Sequence, residues 1–188
     1  TGTYHLTMDT TSTATGTFAA NRPTLTLNLA GRKNVSLEWF GKTFLDDSHT
    51  PTLTGPLGTF GSTMNYDGVA ISQDGITWVE VSALRNLSSA YGTTATRVFL
   101  DPVIQRLGWS YNSTFQLRFS QYDDQAIPSD GIGIDDVAVK ANPATSIAVN
   151  LPPTINEGTL NQTVTVTLPA AAVANTSVTL TSNAPARL

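Results

Sequence analysis

Apolar and polar positions alternate with a period of two along most of the chain. Leu25, Leu27 and Leu29 are set against Thr24, Thr26 and Asn28, and Phe115, Leu117 and Phe119 against Gln116, Arg118 and Ser120. This spacing predicts half-buried strands with one face on a core. The run from Val35 to Leu45 puts Leu37 and Trp39 on one face and Phe40 and Phe44 on the other, so it predicts a central strand covered on both sides. Val69 to Ser72 and Ile76 to Val81 flank Gln73-Asp74-Gly75, where Asp-Gly supplies the positive φ angles of a tight hairpin. One helical turn is predicted over Asp101 to Gly108, with Asp101 as N-cap, Pro102 at the first helical position and Gly108 beyond the end.

After Val139 the texture changes. Residues 141–145, ending in Asn142-Pro143-Ala144-Thr145, have the composition of a linker between a sandwich over residues 1–140 and a second region over residues 146–188. That second region holds three alternating segments around Ile147-Val149-Leu151, Val164-Val166-Leu168 and Val178-Leu180. Three strands make only part of an Ig-like sandwich, which takes about seven strands and about 100 residues. Its open edge predicts a capacity for strand exchange between copies, and hence a filament or homopolymer. The fold class expected is all-β: an antiparallel jelly-roll sandwich followed by a partial Ig-like sandwich.

Composition narrows the chemistry. The net charge is −4, from eleven Asp and three Glu against seven Arg and three Lys, which does not provide the basic face nucleic acid requires. There is no Cys, so thiolate metal sites and disulfides are excluded. No apolar run approaches the ~18–20 residues of a membrane helix.

Several segments together carry a family likeness: Phe44-Leu45-Asp46-Asp47-Ser48-His49, Tyr66-Asp67-Gly68 through Gly75-Ile76-Thr77-Trp78, and Phe119-Ser120-Gln121-Tyr122-Asp123 leading to Asp130-Gly131-Ile132-Gly133-Ile134-Asp135-Asp136-Val137. They resemble a bacterial MAM-type jelly roll of the concanavalin-like sandwiches, over about residues 4–139. The segment from Thr145 resembles the start of a Calx-beta or Ig-like repeat. The resemblance implies a secreted or cell-surface location, a role in adhesion, carbohydrate binding or spacing, partners that are other protein chains or glycans, and in some members bound calcium.

The residues offer two acidic loops. Asp46, Asp47 and His49 open one that ends at Asp67, and if the flanking strands pair antiparallel these groups share one sheet edge. Asp123, Asp124 and Asp130 form the other. Hard cations such as Ca²⁺ take 6–8 oxygen ligands, which loop carboxylates supply; the alternative is ordinary turn use of Asp at a solvated edge. Asp135 and Asp136 are neighbours in a strand and point to opposite faces, so one turns inward or sits at a bulge. By the resemblance, Asp136 joins Asp9 of the first strand as a cation ligand; otherwise it pairs with a backbone N–H or an Arg.

Catalysis has little to stand on. His5 and His49 are the only histidines, no Gly-x-Ser-x-Gly elbow occurs, and neither Glu38 nor Glu80 has the paired carboxylate of a glycosidase strand. The expectation is a non-enzyme. Trp39 and Trp78 fit core positions, whereas Trp109 and Tyr111, just past the helical turn, form the expected exposed aromatic pair for a sugar. A carbohydrate-binding module of a secreted hydrolase is therefore the rival to adhesion.

Overall fold

The structure, a computed structural model, describes residues 4–9, 18–124, 130–143, 148–150 and 165–167. The chain divides into two compact units, Thr1–Pro143 and Ala144–Leu188. The first contains strands β1 (Leu6–Met8), β2 (Ala19–Asn21), β3 (Thr24–Leu27), β4 (Arg32–Thr43), β5 (Thr59–Gly61), β6 (Gly68–Ser72), β7 (Thr77–Ala83), β8 (Thr96–Phe99), β9 (Phe115–Asp123) and β10 (Ile132–Pro143), with helix α1 (Asp101–Leu107) between β8 and β9. One sheet has the order β1-β10-β4-β8; the other has β2-β9-β6-β7-β5, with β3 also paired to β9. Every pairing is antiparallel. This first unit is a β-sandwich, as its alternation predicts.

The two sheets bury one face each in a common core. Leu37, Trp39, Ile132 and Ile134 come from one sheet and Val69, Ile71, Leu117 and Phe119 from the other. Trp39 meets Phe119 edge-on across the interface, with ring centroids 6.0 Å apart. Burying each such side chain contributes about 1.5–3 kcal/mol. β4 is an inner strand of its sheet, but only the Leu37–Trp39 face is core: Phe40 and Phe44, on the face expected to be covered as well, are half-buried, and the Lys42 ammonium lies 4.2 Å from the Phe44 ring centroid.

β6 is buried along its whole length. A second, smaller cluster of Phe60, Tyr66, Ala70 and Trp78 covers its other face, with the Arg118 guanidinium 3.7 Å from the Trp78 ring centroid. Trp78 is therefore core, as expected, but of this outer cluster. A hairpin forms at Asp74-Gly75 as predicted, but only Gly75 takes a positive φ, 75, and β7 starts at Thr77; the Asp74 carboxylate accepts the N–H groups of Ile76 and Thr77.

Some expectations change. Leu100, not Asp101, caps α1, and Asp101 is the first helical residue; Gly108 ends the helix at φ 65 as predicted. The Asp101 carboxylate is drawn instead to the start of β4, where Asn34 and Val35 donate their N–H groups at 2.8 and 3.0 Å. Leu25 is 44% exposed because β3 pairs on one side only, with β9, near the sheet margin. β10 continues into the expected linker as far as Pro143, opposite Arg32, because its ladder with β4 carries on.

In the second unit, β11 (Ala148–Asn150) and β12 (Thr165–Thr167) pair antiparallel with Val149 opposite Val166. The segment predicted around Val178-Leu180 lies outside the described residues. Among the described residues no helix is long and apolar enough to cross a membrane.

Candidate functional site

The inward row of β9 changes character along its length. Phe115, Leu117 and Phe119 face the core, and the same period-two register then delivers Gln121 and Asp123, which are 1% and 2% exposed. On β6 the row of Ile71 and Val69 leads back in the same way to Asp67, also buried. Pairing of Gly68 with Ser120 sets Asp67 beside Gln121. In the facing sheet Ile132 lies opposite both Met8 and Thr43, so Asp9, the Phe44–Asp46 segment and Asp130-Gly131 all leave their strands at this same end. The Phe44 N–H donates to the Gly131 carbonyl at 2.8 Å. A Cβ on Gly131 would collide with the Met8 carbonyl and with Asp9, so the close approach of these segments requires glycine. The two acidic loops, 80-odd positions apart at their extremes, thus meet at one end of the sandwich.

Hydrogen bonds organise the cluster. Asp67 accepts the N–H of His49 at 2.5 Å on one carboxylate oxygen and the N–H of Tyr122 at 2.8 Å on the other. A polar chain crosses the end: the Asn21 amide donates to the Asp9 carbonyl and to Gln121, and the Gln121 amide donates to Asp46 at 2.7 Å. The His49 ring lies 3.5 Å from both Asp67 and Asp124 and packs edge-on against Tyr122.

The electrostatics follow. Burial pushes the Asp46 carboxyl up to about 7; the Gln121 hydrogen bond opposes this, and the charges of Asp67, Asp123 and Asp130 reinforce it. Burial likewise raises Asp67, against the pull of its two N–H donors and of His49 and Arg85. For His49 burial acts downward, but Asp67 and Asp124 prevail and its affinity for a proton rises.

Of the residues expected at a cation site, Asp46, His49, Asp67, Asp123 and Asp130 come together, and Asp9 borders them. Asp47 is exposed beside them. Asp136 does not join Asp9. Register puts Asp9 near Gly131, and five strand residues at about 3.3 Å each carry Asp136 some 16 Å away. Asp136 instead occupies the bulge between Asp135 and Ala138, with φ 49, exposed, its N–H donating to the Asp135 carboxylate. Trp109 and Tyr111, expected as an exposed pair, are half-buried against the core; the Tyr111 hydroxyl donates to Asp101 at 2.7 Å and its ring meets Phe115 edge-on. His5 contacts the Phe44 and Tyr91 rings. Sequence reasoning missed Asn21 and Gln121. The sign was present, since Gln121 and Asp123 extend the apolar stripe of β9 with polar groups.

Hard cations take oxygen donors. Asp46, Asp123 and Asp130 offer oxygen alone, with the Asp9 carbonyl at the end of the polar chain, whereas Asp67 is committed to two backbone donors. Among the described residues no group of three or more His, Asp or Glu side chains is placed so as to hold a metal ion; Asp46 is held by Gln121. Comparison of the chain with family models, with curated proteins and with solved structures finds no match.

Proposed function

We propose that the first unit is a non-catalytic interaction module of a secreted or cell-surface protein, and that calcium fastens the acidic end of its sandwich. One observation carries the metal: carboxylates from four separate segments, at Asp46, Asp67, Asp123 and Asp130, crowd one end of the core closely enough for three of them to raise the fourth. Like charges so placed repel, and a divalent ion relieves that repulsion. Asp46, Asp123 and Asp130 would hold the ion, with the Asp9 carbonyl. Bound calcium would supply charge neutralisation and a cross-link between the ends of the two sheets.

The resemblance to MAM-type jelly rolls supports a role in adhesion, with other protein chains or glycans as partners. A second unit in which β11 pairs with β12 fits a place in a multi-domain protein.

Thermal melts in EDTA and in calcium test the metal. Calcium at 100 times its dissociation constant contributes about 2.7 kcal/mol, which raises the melting temperature by several degrees. Magnesium should do less, since it demands stricter octahedral geometry. A melting temperature indifferent to calcium would remove the ion from this reading.

A further inference from the structure

Beside the acidic end lies a pocket of about 280 Å³ between the segment that follows β4 and the one that follows β7. Thr43, Asp46 and Ser48 form one wall, and Leu84, Asn86 and Leu87 the other. Leu45 stands at the rim. It is 83% exposed and has φ 77, and Asn86 across from it has φ 59. A leucine held in the left-handed region and left in water adds nothing to the core, which points to a use at the surface.

The lining identifies the chemistry. It offers a carboxyl, two hydroxyls and a carboxamide, groups that both donate to and accept from neutral hydroxyls. No Lys, Arg or His lines it, so an anion finds no counter-charge, and no aromatic ring lines it, so a flat heterocycle finds no stacking face. Leucine side chains match an aliphatic C–H surface. The volume falls just below the roughly 300 Å³ at which sites for drug-sized ligands begin, which leaves room for one substituted six-membered ring.

We propose that this pocket binds a neutral monosaccharide unit, free or at the end of a glycan, with its hydroxyls bonded to Asn86, Ser48 and Asp46 and its C–H face against Leu45 and Leu87. The proposal rests on the glycan side of the reading above; it shares Asp46 with the calcium reading, but its contacts need no ion.

The test is an amide NMR titration of the full chain with free hexoses, N-acetylhexosamines and 6-deoxyhexoses, each in EDTA and again in calcium. At least one sugar should shift the amides of residues 43–48 and 84–87 saturably in EDTA. Asn86→Gly keeps the left-handed backbone and removes the carboxamide, and should weaken that sugar about tenfold, the worth of one good hydrogen bond. Ser48→Trp fills the pocket from an exposed position and should abolish binding while leaving the rest of the spectrum in place. The proposal falls if no sugar moves these amides, if both variants bind as the parent does, if simple alkylammonium ions bind in place of sugars, or if sugar binding requires calcium. A calcium-independent melt would leave the sugar result untouched.

Discussion

The two ends of β4 use aspartate in opposite ways. At its start a single carboxylate, Asp101, takes hydrogen bonds from Asn34, Val35 and Tyr111. Burial pushes its carboxyl up, but those three donors outweigh burial and hold it below its ordinary value. Beyond the other end, Asp46 has one donor, Gln121, and three acidic neighbours, and its carboxyl rises to about 7. The residue type is the same; the ratio of donors to like charges differs. The first carboxylate is satisfied by donors, whereas the second is short of them and holds its proton more tightly.

Replacing Asp67 by Ala should have the largest effect on this contrast. It strips partners from two N–H groups, those of His49 and Tyr122, beside a carboxylate that is fully buried. A loss of about 3 kcal/mol in urea unfolding is expected, since hydrogen bonds to charged groups contribute about 1.5–3 kcal/mol each. A loss below about 1 kcal/mol would mean that the acidic end is held by something other than this carboxylate.

At the opposite end, Tyr111→Phe removes one of Asp101's three donors and leaves the ring on Phe115. Unfolding free energy should fall by about 1–2 kcal/mol, at the lower end for a half-buried pair. Because the donors hold Asp101 down, their stabilisation is present above its ordinary pKa of 3.8 and fades as pH drops below it. The variant should therefore differ from the parent at pH 6 and converge on it in strong acid.

The smallest effect, and the most diagnostic, is the pH slope at the acidic end. With calcium removed, the folded chain retains a proton on Asp46 between 3.8 and about 7 that the unfolded chain has released. Stability therefore falls as pH rises through that window. Partial solvation screens the effect, so it should show as a shallow slope in melting temperature from pH 4.5 to 7.5. Asp46→Asn should flatten it, and calcium should reverse it by favouring the ionised form. An identical slope in parent and variant would place the titrating group elsewhere.

Much of the sandwich was legible in the sequence, because a buried face forces a strict period of two: β4, β9 and the β6–β7 hairpin all follow their apolar stripes. The β8 edge strand, Thr96-Arg97-Val98-Phe99, was not, since it has no alternation to show. The site was half legible. Each acidic loop is visible as a run of Asp, but their meeting depends on the register of Gly68 against Ser120 and of Ile132 against Thr43, which local pattern does not encode. The pairing of Asp136 with Asp9 failed for the same reason: a single strand carries its residues apart by length, and resemblance does not shorten it. The aromatic pair failed because Tyr111 has a local partner in Asp101 that position in the chain did not reveal.

The close approach at Gly131 has a consequence for how the chain tolerates change. In a saturation library selected only for folding, position 131 should return glycine almost alone, even without calcium or sugar, because the obstacle is the backbone of the first strand and not any ligand. Position 133 also opposes a Cβ, but there the obstacles are side-chain atoms of Tyr91 and Lys42. Small substituents should survive at that site. The two glycines, two residues apart where β10 begins, would leave different mutational footprints, one fixed by main chain and the other negotiable by rotamer.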